Sequence, residues 1–330
     1  FYTGKSTSVI HSSLNPNATY YYKVYATNLD GVDTVFNTPS STHTLCNVPS
    51  SFVYYSVDIT SITVNWNPNS NSDSTYYELE ASTINNTSYG TIYNGKSSTY
   101  THVGLSPNVT YYYRVRARNL DEVHTSYTSE LDTHTLCNIP AAFVYYSVDI
   151  TSITVDWTEN FNSASTYYEL EASTINNTSY GVIYNGRVSS YTHSGLTPNV
   201  TYYYRVRARN LDEEYTEYTS QIDTHTLCNV PAAFSYYSVE ITSITVDWTA
   251  NSNSASTYYE LEASTINNTS FGVIYNGKVS SYTHAGLTPN VTYYYRVRAR
   301  NLDQLYSDYT SEIDTHTLCN IPTAFDYSVV

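Results

Sequence analysis

Gly104-Leu105-Ser106-Pro107-Asn108-Val109-Thr110-Tyr111-Tyr112-Tyr113-Arg114-Val115-Arg116-Ala117-Arg118-Asn119 reads as one turn followed by one strand. Gly, Pro and Asn punctuate its first half, and from Tyr111 onward the side chains alternate. Tyr111, Tyr113, Val115 and Ala117 form an apolar file, while Tyr112, Arg114, Arg116 and Arg118 form a polar one. A period of two is what a strand shows when one face is buried and the other is wet. Upstream, Ile62, Val64 and Trp66 alternate with Ser61, Thr63 and Asn65, and Tyr77, Leu79 and Ala81 alternate with Glu78 and Glu80. If the second and third of these strands pair, carboxylates meet guanidiniums. Exposed cross-strand pairs of that kind contribute about 0.2–1 kcal/mol each, enough to set register but not to hold a fold.

The same pattern returns every 91 residues, as Trp66, Trp157 and Trp248 show, and so do Cys46, Cys137, Cys228 and Cys319. Solenoid repeats run to roughly 20–50 residues, so a longer period indicates units that each close their own core. The expected organisation is a partial unit at 1–47, complete units at 48–138, 139–229 and 230–320, and the start of another at 321–330. Phe1 aligns with Ile92 and Val330 with Val239, so the sequence reads as a window on a longer, rod-like array.

Charged residues make up 13% of the chain and the formal net charge is −15, with Tyr at 40 residues and only 14 Lys plus Arg. This composition favours strands and turns over helices, and an all-β class is expected. Every arginine but Arg187 lies in the segment 114–118 or its copies. No basic stripe is left for nucleic acid or an anionic membrane surface, and no apolar run of about 18 residues is present to insert into a bilayer.

The residues Ser61-Ile62-Thr63-Val64-Asn65-Trp66, then Tyr77-x-Leu79, then Leu105-x-Pro107-x-x-x-Tyr111-x-Tyr113 resemble a fibronectin type III domain, in each complete unit. The resemblance implies tandem seven-stranded immunoglobulin-like β-sandwiches, each with a core tryptophan (Trp66, Trp157, Trp248). It also implies a tyrosine corner (Tyr20, Tyr111, Tyr202, Tyr293) whose hydroxyl bonds back to the backbone. Neither Arg-Gly-Asp nor Trp-Ser-x-Trp-Ser occurs, so integrin binding and cytokine recognition do not carry over.

Four groups of candidate sites stand out. Cys46, Cys137, Cys228 and Cys319 sit at the joints between units. Successive joints lie roughly 30 Å apart if strands are about 8 residues long, whereas a disulfide needs Cα atoms within about 7 Å, so pairing within one chain is excluded. Three readings remain: an interchain bridge that staples chains into a fibre, a buried free thiol in the seam, and another covalent attachment. Sequons occur at Asn17, Asn85, Asn86, Asn108, Asn176, Asn177, Asn199, Asn267, Asn268 and Asn290, placed at turns where a glycan could be attached. Tyr76, Tyr112, Tyr167, Tyr203, Tyr258 and Tyr294 fall on the outward file and are expected to be exposed contact residues, and one of Tyr54 and Tyr55 joins them. His102, His193 and His284 are expected on the surface or in a seam. His134-x-x-Cys137 places its two side chains on opposite sides of a strand and supplies too few ligands for zinc, and the acidic run Leu120-Asp121-Glu122 lacks the spacing of a calcium loop.

No nucleophile elbow, phosphate-binding loop, metal cluster or cofactor motif is present, so the reading is non-catalytic. Near-identical units present identical surfaces at constant pitch, which suits a periodic lattice. The expectation is an extracellular or cell-surface glycoprotein that self-associates into a fibre, stalk or sheath. The alternatives are an adhesin or carbohydrate-binding array, or the spacer of a larger secreted protein.

Overall fold

The computed structural model describes residues 1–323. Every regular element among them is a strand, and no helix in them is long and apolar enough to cross a membrane. The described residues divide into two compact units, residues 1–138 with 160–166 and 208–216, and residues 139–159 with 167–207 and 217–323.

The first unit opens with a two-stranded hairpin, β1 (Thr19–Tyr22) against β2 (Ser40–His43). A complete sandwich follows, made of β3 (Ser50–Val57), β4 (Ser61–Asn67), β5 (Tyr76–Ser82), β6 (Gly90–Gly95), β7 (Thr99–Val103), β8 (Thr110–Arg118) and β9 (Leu131–His134). Two antiparallel sheets form, in the orders β3-β4-β7 and β6-β5-β8-β9. The alternation read from the sequence is the alternation of burial. Ile62, Val64 and Trp66 point inward from β4, and Tyr111, Tyr113, Val115 and Ala117 from β8. They close one core with Tyr77, Leu79 and Leu105. Trp66 lies edge-on to Tyr77 at 5.6 Å and to Phe52 at 6.3 Å, the geometry that ring quadrupoles favour.

Gly104 turns the chain from β7 toward β8 at φ +77°, a left-handed conformation in which a Cβ would be strained. The turn is tied down by Tyr111, whose hydroxyl accepts the Ser106 N–H at 3.1 Å. Tyr20, Tyr202 and Tyr293 accept from Asn15, Thr197 and Thr288, each at 3.0 Å. The tyrosine corner is thus built in all four places. Tyr111→Phe should destabilise the first repeat by about 1–3 kcal/mol, the cost of a buried donor left without an acceptor. Urea unfolding of a variant that keeps Trp66 as its sole tryptophan (Trp157→Phe, Trp248→Phe) measures this.

In the second unit the third repeat copies this plan. Ala232–Val239, Ser243–Thr249 and Ser281–Ala285 form one sheet; Gly272–Gly277, Tyr258–Ser264, Thr292–Arg300 and Ile313–His316 form the other. Its core again gathers an Ile, a Val and a Trp from the second strand, here Ile244, Val246 and Trp248. The strands of the second repeat follow the same order.

Candidate functional site

The turn before β8 carries Asn108, a sequon asparagine in the left-handed region at φ 51°, which Asn tolerates better than most residues. Its side chain is not in solvent; the residue is 1% exposed. Nδ2 donates to Thr166 Oγ1 at 2.8 Å and Oδ1 accepts the Leu211 N–H at 3.3 Å. Its carbonyl accepts from Ser163 Oγ at 2.7 Å. Residues 163–166 and 211 belong to the following 91-residue repeat, so this asparagine is the latch of a seam. Asn17 repeats the arrangement with Thr75 (2.8 Å) and Leu120 (3.3 Å), and Asn199 with Thr257 (2.8 Å) and Leu302 (3.3 Å).

Each seam adds a histidine–aspartate contact. His134 Nδ1 stands 2.8 Å from Asp212 Oδ1, His43 2.8 Å from Asp121, and His225 3.0 Å from Asp303. Asp212 also accepts the His134 backbone N–H at 3.1 Å, which fixes the angle of approach. The carboxylates are well exposed, so each pair contributes about 0–1 kcal/mol and orients more than it holds. The seam cysteine completes the set. Cys137 and Cys228 are each 4% exposed, and Cys228 packs into the cluster of Trp248 and Tyr259. Burial pushes both thiols up to about 11, only partly countered by the hydroxyls of Thr166 and Thr257.

A second constellation covers the outer face of the four-stranded sheet. β5 and β8 pair so that Glu78 faces Arg116 and Glu80 faces Arg114. Arg114 Nε donates to Glu80 at 2.8 Å, and Arg116 Nε to Glu78 at 3.0 Å. The Arg114 guanidinium is sandwiched between the rings of Tyr89 and Tyr127, 4.0 Å from each. Tyr127 donates to Glu78 at 3.2 Å, and Tyr89 donates to Glu130. Burial works to raise the Glu78 carboxyl, but Arg116 prevails and holds it below the ordinary 4.5. Arg205 lies likewise between Tyr180 and Tyr218 (4.1 and 4.0 Å), and Arg296 between Phe271 and Tyr309 (4.2 and 3.9 Å).

A model of the fibronectin type III domain matches residues 47–131, 140–225 and 229–313. The chain belongs to the fibronectin type III family. Similar solved structures include the FN1–FN3 domains of chicken CNTN1, at 15% identity over 82% of this chain and 98% of that one, with a TM-score of 0.29. A two-domain fibronectin type III segment of chicken tenascin is 17% identical over 55% of this chain and 100% of that one, with a TM-score of 0.42. No curated protein matches the chain.

Against this family frame, several sequence expectations need correction. The sequons separate into two groups. Asn85, Asn86, Asn176, Asn177, Asn267 and Asn268 are exposed in the loop between the third and fourth strands of each fibronectin type III repeat, and Asn290 is exposed as well. Asn17, Asn108 and Asn199 are buried, because the next repeat uses both ends of their amides. A reachable turn, the premise for placing glycans there, is absent at those three. The interchain bridge fails on the same ground for Cys137 and Cys228, whose sulfurs no second chain can approach; Cys46 is half-buried and Cys319 exposed.

Tyr76, Tyr112, Tyr167, Tyr203, Tyr258 and Tyr294 are half-buried, not exposed. Long basic side chains lie over three of them: Lys96 and Arg118 over Tyr76, Arg187 over Tyr167, and Lys278 and Arg300 over Tyr258. The Glu–Arg pairs, expected to be exposed, are part-buried under the tyrosines of the loops, which alternation within a strand does not reveal.

His102, expected on the surface or in a seam, faces the sandwich interior, with Nδ1 3.2 Å from the Tyr113 hydroxyl. His193 and His284 meet Tyr204 and Tyr295 at 3.1 and 3.2 Å. Burial lowers all three below the ordinary 6.5. With the folded value depressed, the unfolded chain takes up the proton first. Stability is therefore complete above about pH 6.5 and is lost as pH falls from there toward the folded value. The Glu78 contribution has the other usual origin, a depressed carboxylate, and is lost only below its ordinary 4.5. Urea midpoints should therefore already decline between about pH 6.5 and 5. Replacing His102, His193 and His284 by Gln should flatten that limb; an unchanged limb would assign it elsewhere.

Proposed function

We propose that this chain is a non-catalytic structural array of an extracellular or cell-surface protein. Its repeats, taken as residues 48–138, 139–229 and 230–320, stack end to end and self-associate laterally into a fibre, stalk or sheath. Glycans on the exposed loop asparagines would decorate it. One observation carries the reading: the seam is the same object each time, with Asn17, Asn108 and Asn199 latched to the next repeat's Thr and Leu through matching hydrogen bonds. A protein that commits the same buried polar latch to three successive joints holds its repeats in a repeating relation, which a fibre requires and a flexible tether does not. Fibronectin type III arrays are compatible with such a non-catalytic role.

The test is sedimentation and negative-stain imaging of the 330-residue chain over a range of concentrations. Concentration-dependent multimers or filaments are the expected result, and hexose mass on Asn85 or Asn86 but not Asn108 is expected from a glycosylating host. A chain that stays monomeric throughout would overturn the self-associating reading and leave a spacer.

A further inference from the structure

The rings that the four-stranded sheet uses to stack on arginine are unavailable to a partner, which directs attention to the other sheet. The most exposed tyrosine of each complete repeat lies on its first strand: Tyr55 at 75%, Tyr146 at 76% and Tyr237 at 79%. Each has an exposed neighbour, Tyr54, Tyr145 or Tyr236, at 51%. The pair arises from a bulge. Tyr54 faces Val64 and Ser56 faces Thr63 across the sheet, so Tyr55 is an extra residue with no partner opposite, and the register shifts at the same place in the other two repeats. A bulged edge resists addition of another strand, so contact here is made by rings and not by backbone.

Charge identifies what sits on it. The strands Ser50–Val57, Ala141–Val148 and Ala232–Val239 contain no Asp, Glu, Lys or Arg, and neither do β4 and β7 beside the first of them. The sheets of the second and third repeats hold one acid each, Asp156 and Asp247, already engaged by Ser190 and Ser235. The chain as a whole carries −15. A cationic partner would be drawn to the acidic loops. A second copy of an equally anionic chain is repelled everywhere except at a neutral, apolar window such as this one. The window also recurs every 91 residues, so two copies would engage through several weak contacts at once.

We infer that the paired tyrosines of the first strand, Tyr54–Tyr55, Tyr145–Tyr146 and Tyr236–Tyr237, are the lateral contact between copies of this chain. The inference rests on the self-association proposed above and specifies its surface. Sedimentation velocity on the full chain tests it with two sets of variants. Serine at all six first-strand tyrosines should raise the self-association constant Kd by about tenfold or more, with intermediate steps when one or two repeats are altered. Serine at Tyr112, Tyr203 and Tyr294, on the opposite sheet, should leave Kd within about twofold. Raising NaCl from about 0.05 to 0.5 M should tighten association, since salt screens repulsion between like-charged chains and leaves ring packing intact. Circular dichroism confirms that each variant is folded. A wild type that associates with unchanged Kd in the six-serine variant, or that loosens with salt, overturns this surface and leaves self-association standing. A monomeric wild type overturns both.

Discussion

Asn108→Ala should open the seam that follows the first repeat while leaving the repeat itself folded. The Leu211 N–H loses its acceptor, and Thr166 Oγ1 loses its amide donor and is left with the Cys137 thiol. A buried polar group left unsatisfied costs about 1–3 kcal/mol, and the loss falls on that order. That loss is local, because the core of Ile62, Val64, Leu79 and Val115 is untouched. The neighbouring cysteine reports it. In the native chain Cys137 is buried with its thiol pushed up to about 11, and it should react with an aromatic disulfide reagent far more slowly than exposed Cys319. In Asn108→Ala its labelling should rise by about tenfold for every 1.4 kcal/mol by which opening becomes easier. Asn290→Ala, at an exposed position, is the control and should change nothing. Unaltered Cys137 labelling with a folded first repeat would show that the asparagine is not the latch.

The second large effect is expected from Glu80→Ala. It strands the Arg114 guanidinium between Tyr89 and Tyr127 without the carboxylate it donates to. Removing one member of a fully buried pair costs about 3–5 kcal/mol; with the Arg114 side chain 33% exposed, water recovers part of this and about 2–3 kcal/mol is expected. Replacing both members, Glu80→Met with Arg114→Met, should restore much of the loss, since no charge is then stranded and the rings keep an apolar neighbour. Equal urea midpoints for the single and double variants would show that the pair acts by packing alone.

The strands were legible because a half-buried sheet imposes period two on its sequence, and β4 and β8 obey it without exception. That the carboxylates of β5 meet the guanidiniums of β8 was legible, but the register was not: Glu78 and Glu80 match Arg118 and Arg116 in charge as well as they match Arg116 and Arg114, and the structure takes the second pairing. The tyrosine corner followed from its motif and is present in four copies. The exposure of particular tyrosines was not legible. Tyr76 and Tyr112 lie on the outward file, yet both are half-buried, Tyr76 beneath Lys96 and Arg118. Tyr54 and Tyr55 both reach solvent, because a bulge breaks the alternation on which the expectation of one exposed ring relied.

Taken alone, the sequence determines an all-β array of sandwiches with a 91-residue period and their core residues, because burial alternation, turn residues and recurrence are properties of the chain itself. Tertiary structure alone decides which polar residues face another repeat. Asn108 and Asn86 are both sequon asparagines at turns, but one is sealed by Thr166 and Leu211, residues 58 and 103 positions away, and the other stays in water. A local pattern carries no information about a neighbour so distant in the chain. Latch and glycan acceptor are therefore distinguished only once the repeats are docked.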